Sequence, residues 1–209
     1  MREGSLREEV FLLAHGDDGR LIGAEPGISA GLAGATLVDL LLMGRVAVGS
    51  GRLIVVDSAA TGDAECDSTL AAIAANTEPT GPRAWVSWIS AGAYERAVVG
   101  LEEAGVITRT VVRRLGLLTS SRCYPVDGDR LVRLRSRLRY AVHSSETPDP
   151  RTAALAGLVR VLRLHSALLL SMPSRDLLAA LQRLSSTNPT TIRQVTNAVD
   201  AVITAATYR

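Results

Sequence analysis

Between Ile28 and Val46 the chain reads ISAGLAGATLVDLLLMGRV. Small residues open this stretch, apolar residues fill nearly every helical direction, and Gly44-Arg45 closes it. A helix that is apolar all round is stable only when something apolar surrounds it. Asp39 interrupts the run, which falls short of the roughly 20 residues that a bilayer span requires. The stretch therefore predicts a core helix, starting near Ile28 after Pro26-Gly27, and any membrane contact is expected to be peripheral. A chain of 209 residues can enclose such a helix, because at that length about 70% of the unfolded surface is buried on folding and no metal or disulfide is needed.

The flanking sequence supplies the enclosing elements. Ser5-Leu6-Arg7-Glu8 is a capping box that starts a helix over about 6–14. Gly16-Asp17-Asp18-Gly19 is turn chemistry. Val46-Ala47-Val48 and Leu53 to Val56 flank Gly49-Ser50-Gly51 as a hairpin. Asp63 caps a helix running to about Asn76, which Pro79, Gly81 and Pro82 end. Trp85 and Trp88 share a face of the next short helix, and Tyr94, Val98 and Leu101 mark another, closed by Gly105. Segments 106–112 and 115–124 read as a second hairpin with Gly116 near its tip. Helices are expected over 130–143, 151–170, 174–184 and 190–206, separated by Pro148, Pro150, Pro173 and Pro189. With no repeat and no low-complexity linker, the expected fold is mainly α, a single compact multi-helix domain over 1–209 with two small β-hairpins.

Chemistry-bearing residues are sparse. All 23 basic residues are arginine, as codon usage in a GC-rich genome would give, and the net charge is only +2. Nucleic acid is not an expected partner on that balance. Cys66 and Cys123 stand apart from each other and from histidine clusters, so both read as reduced thiols. The mixed-charge amino terminus does not read as a signal peptide, and the expected location is cytoplasmic, at most peripheral at the inner face of a membrane. His15 and His143 fall at helix ends, where a cation favours the dipole, and His165 lies in an apolar helix. No hydrolase, nucleotide or dinucleotide signature is present. The expectation is no enzyme, no catalytic residue, no metal and no cofactor.

The basic residues are placed more suggestively. Arg130, Arg133 and Arg137 align at spacings of three and four, Arg135 and Arg139 form a second row, and Leu131, Leu134 and Leu138 make the apolar face between them. Such a helix is either a solvated face over a core stripe or a surface that meets phosphates bidentately. On the second hairpin, Arg109, Arg113 and Arg114 accompany Leu115, Leu117 and Leu118. An apolar tip beside basic residues can wedge into a lipid interface, can pack on a partner chain, or can be buried on its own domain.

Several segments together resemble the Golgi phosphoprotein 3 family. They are Leu6-Arg-Glu-Glu-Val-Phe-Leu-Leu, the stretch from Ile28 to Val46, Thr61-Gly62-Asp63, Leu101-Glu-Glu-Ala-Gly-Val-Ile, Tyr124-Pro125 before Arg130 to Leu138, and Asp149-Pro150-Arg151. The resemblance spans roughly 6–206 and implies a mostly helical, non-catalytic fold. Its eukaryotic members bind phosphatidylinositol 4-phosphate and recruit the tails of Golgi membrane enzymes. The all-Arg composition is similar to the actinobacterial branch.

The resemblance also implies where a head-group site would lie. The family's pocket positions, a Trp and three Arg, match Ala24, Ala33, Ala91 and Tyr94. Replacing all of them removes the charge-assisted bonds that hold phosphates, which weighs against specific phosphoinositide recognition. Arg96, rotated about 200° from Tyr94 on a helix, and Arg83, Trp85 and Trp88 are the candidate substitutes. The leading expectation is a non-catalytic peripheral membrane or adaptor protein that meets anionic lipid through the second hairpin and the arginine helix. The alternative is a soluble interaction module that self-associates through the hairpin near Leu117, and a protein client fits either.

Overall fold

The helix predicted at the centre of the fold is α2, Glu25–Leu42, and every residue from Ile28 to Leu40 is buried. The computed structural model describes residues 4–75, 81–114 and 118–207. The helix begins three residues before the expected Ile28, with Pro26 in its first turn, where a missing N–H costs nothing. Its glycines serve close approach. A Cβ on Gly31 would collide with the Leu162 side chain, and one on Gly34 with Val199. By length and composition α2 could cross a bilayer; here it is the buried axis of the fold.

Around it, α1 (Leu6–Leu13) is capped by Ser5, whose Oγ accepts from the Glu8 amide at 3.2 Å. Strands β1 (Val46–Gly49) and β2 (Arg52–Val55) pair antiparallel. Their two-residue turn has positive φ at both Ser50 (50°) and Gly51 (76°), the geometry that matches strand twist. Asp63 caps α3 (Ala64–Ala74) by accepting from Glu65 and Cys66 amides at 3.1 and 2.9 Å. Helices α4 (Pro82–Ser90) and α5 (Ala93–Glu103) follow. The second hairpin pairs β3 (Ile107–Arg114) with β4 (Leu118–Pro125), from Ile107↔Pro125 to Arg114↔Leu118. Next come α6 (Gly128–His143) and α7 (Pro150–Val161), then α8 (Ser174–Ser186) and α9 (Thr190–Thr207). The mainly α fold with two small hairpins is the one the sequence predicts.

One expected helix is two elements. The segment 151–170 breaks after Val161 and re-enters as a 3-10 helix, Leu164–Leu168, between Arg163 (φ 56°) and Leu169 (φ 51°) in the left-handed region. Each such residue costs roughly 1–2 kcal/mol. The bend turns Leu164 and Leu168 fully into the core, and burying a leucine contributes about 1.5–3 kcal/mol.

Candidate functional site

The arginine row of α6 faces carboxylates of its own chain. Glu8 and Glu9 on α1 are both buried, and Arg130 pairs with Glu8 while Arg137 Nη2 donates to Glu9 Oε2 at 2.7 Å. Arg151, at the start of α7, donates to Glu9 at 3.4 Å, to Asp39 Oδ1 at 3.3 Å and to the Gly4 carbonyl. Asp39, inside α2, also accepts from the Leu6 amide at 2.8 Å, so it caps α1 from 33 residues away. Burial pushes the Asp39 carboxyl up to about 6 against the pull of Arg151 and those amides, and burial likewise raises Glu8 against Arg130. Arg133 pairs with Asp127 at 3.2 Å on the solvent-exposed side, Arg135 with Asp17 at 2.9 Å, and Arg139 donates to the Leu169 carbonyl. Leu131, Leu134 and Leu138 are buried, as the spacing predicts. Arg130 and Arg137 thus tie α6 to α1, and Arg151 ties α7 to α1 and α2.

At the other end of α1 the groups are neutral. His15, by its place in the sequence a cation on the helix dipole, is instead buried, and burial lowers its pKa. Its Nδ1 lies 2.8 Å from the Phe11 carbonyl and so carries the proton; Nε2 then accepts from the Tyr94 hydroxyl at 3.0 Å. Phe11, His15 and Tyr94 stack with ring centroids 4.4 to 6.0 Å apart. Both cysteines are free and buried.

The head-group positions carried over by resemblance do not share one environment. Ala24 and Ala91 are exposed, at the N-terminal end of α2 and the C-terminal end of α4; Ala33 is fully buried in α2, and Tyr94 is tied to His15. Arg96 is committed to Glu65, at 2.9 to 3.2 Å, and to the Ala91 and Ile89 carbonyls, where it closes the end of α4. Trp85 is core, while Trp88, 5.6 Å away edge-on, is 59% exposed, and Arg83 is exposed without a partner among the described residues. An apolar cavity of about 500 Å³ opens beside Ala24, between the first turn of α2, Arg163 and the end of α9.

The β3–β4 hairpin is anchored at its base, where Ile107 and Cys123 are buried, Cys123 N donates to the Gly19 carbonyl, and Tyr124 donates to the Asp18 carbonyl at 2.9 Å. Arg109 lies against Glu95 (2.6 Å) and Ser121 (2.9 Å). Farther out, Thr110, Val111 and Ser121 are exposed. Leu115 and Leu117 lie outside the described residues, as do the side chains of Arg113, Arg114 and Leu118.

Sequence reasoning missed the long-range pairs. Asp17 to Arg135 joins two residues 118 apart, and Asp39 to Arg151 spans 112; neither has a local signature. The lone carboxylate within an apolar helix was the one readable sign of a partner. Among the described residues no cluster of His, Cys, Asp and Glu could hold a metal ion.

A search of curated proteins finds no match. The family model for Golgi phosphoprotein 3 (GPP34) matches residues 6–206, nearly the whole chain. It is not a known enzyme family. The chain belongs to the Golgi phosphoprotein 3 family.

Proposed function

We propose that the chain is a non-catalytic peripheral adaptor that docks on an anionic membrane surface through the distal half of the β3–β4 hairpin. The observation that carries this reading is the hairpin itself, a two-stranded ladder anchored at its base, with both edges unpaired among the described residues and Thr110, Val111 and Ser121 exposed. A lone two-stranded hairpin is marginally stable in water, so its outer half gains by finding a surface. Family membership supports the same reading. Arg113 and Arg114 continue the strand toward the tip, and each arginine near an anionic bilayer contributes about 1 kcal/mol.

The α6 arginines are assigned a structural part instead, because Arg130 and Arg137 already hold buried carboxylates. Nor is specific recognition of phosphatidylinositol 4-phosphate proposed: alanine stands at 24, 33 and 91, and Arg96 is committed to Glu65.

Vesicle flotation at about 0.15 M salt, where exposed charges are screened beyond roughly 8 Å, tests the reading. Neutral vesicles, vesicles with generic anionic lipid and vesicles with phosphatidylinositol 4-phosphate are compared. The chain is expected to float equally with both anionic types, and the Arg113→Glu/Arg114→Glu variant with none. Unchanged flotation of that variant rejects the hairpin as the contact.

The unpaired edges favour a second reading, self-association by edge pairing. Light scattering after size exclusion would then give a multiple of the 22.1 kDa chain mass, lost on Leu117→Asp. A monomer in both cases excludes it.

A further inference from the structure

A cavity of about 330 Å³ lies where the end of α1, the base of the β3–β4 hairpin and the first half of α6 meet. Phe11, Leu12, Ile107 and Leu131 make its wall largely apolar, and Asp17 and Arg135 stand at its polar side. It is separate from Ala24, Ala33, Ala91 and Tyr94, none of which lines it.

Arg135 is unusually placed. Its side chain is only 11% exposed, whereas its partner Asp17 is 69% exposed on the turn after α1. A largely enclosed cation is thus neutralised by a carboxylate that reaches in from solvent. The contact is single, from Nη2 to Asp17 Oδ1 at 2.9 Å, and Arg135 Nε is buried with no partner among the described residues. Guanidinium groups hold carboxylates best through two parallel bonds, and a buried donor left unmet is costly. The neighbouring polar groups of the wall are already occupied, His15 by Phe11 and Tyr94, and Tyr124 by the Asp18 carbonyl. Among the side chains of this wall, Arg135 is the one with a buried donor to spare. The arrangement is that of an anion seat filled loosely by a residue of the chain.

We infer that this cavity binds a small amphipathic carboxylic acid, whose carboxylate replaces Asp17 on Arg135 and whose apolar body lies against Phe11, Leu12, Ile107 and Leu131. The volume is at the lower end of the roughly 300–1,000 Å³ typical of ligand pockets, which suits a chain of about eight carbons or one aromatic ring. Asp17 is then an internal competitor. Nothing in this depends on how the chain docks to membranes.

Calorimetric titration of the full chain with octanoate, and with 1-octanol as the uncharged control, tests the inference. Asp17 lies on an exposed turn, and Asp17→Asn, with its native fold verified by circular dichroism and thermal unfolding, is the decisive variant. Losing the competitor should tighten octanoate about tenfold, the scale of one charge-assisted bond, and leave octanol unchanged. Arg135→Gln should weaken octanoate by at least as much, and octanoate should shift the Arg135 Nε–H resonance in the wild-type chain. Octanoate that fails to bind, that binds Asp17→Asn no better than wild type, or that binds no tighter than octanol overturns the inference.

Discussion

The two ends of α1 are buried by opposite means. At its start Glu8, Glu9 and Asp39 are enclosed by Arg130, Arg137 and Arg151. At its close neutral His15 and Tyr94 share a hydrogen bond within a stack of rings that includes Phe11. A buried charge network is tolerable only while every member is present, because removing one partner strands another charge. A neutral pair fails more gently, since each loss leaves one unsatisfied dipole. Eight residues of helix thus join a stringent contact to a forgiving one.

The largest test of that contrast is Arg151→Ala, which strands Glu9 and Asp39 together. Loss of about 3–5 kcal/mol is expected, measured by urea unfolding at pH 7, and a loss below about 1 kcal/mol would erase the distinction.

The pH dependence is next. The Asp39 carboxyl has a folded pKa raised from 3.8 to about 6, so as pH rises between those values the unfolded state gives up its proton first. Its stabilisation is fully present below the lower value and is lost as pH rises through about 6, on the order of 3 kcal/mol. His15 has the opposite sign. Its folded pKa is lowered, so the unfolded imidazole takes the proton first and stability falls as pH drops through 6.5. Asp39→Asn should therefore uncover a decline toward acid, and His15→Gln a decline toward neutral pH. Unfolding curves at half-unit steps from pH 4 to 7.5 check both, and identical profiles for the two variants would contradict the assignment.

At constant pH 7, His15→Gln should cost about 1–3 kcal/mol, the desolvation penalty of stranding the Tyr94 hydroxyl. The smallest effect belongs to Arg133→Ala. Its pair with Asp127 is solvent-exposed on both sides, so a change of at most about 0.5 kcal/mol is expected in the same assay. A larger cost would extend the stringent network along the whole arginine row.

The same contrast explains what was legible. Periodicity found α2 and its burial, Ser5 and Asp63 announced their helices, and Gly49-Ser50-Gly51 announced the first turn, because each depends on neighbours in sequence. The bend at Arg163 was not readable, since two leucines seeking the core override a continuous helical pattern there. Nor was the duty of Arg130 and Arg137, because a helical row of arginines looks the same whether it faces solvent or carboxylates more than 100 residues away in sequence. The head-group positions were readable only through resemblance, and Ala33 lies wholly inside the core.

The assignment of surface contact to the hairpin, and of structure to the arginine helix, is tested most directly by hydrogen–deuterium exchange with and without anionic vesicles. Slower exchange over 110–121 and no change over 128–143 are expected. Protection of 128–143 with none on the hairpin would contradict that division of roles.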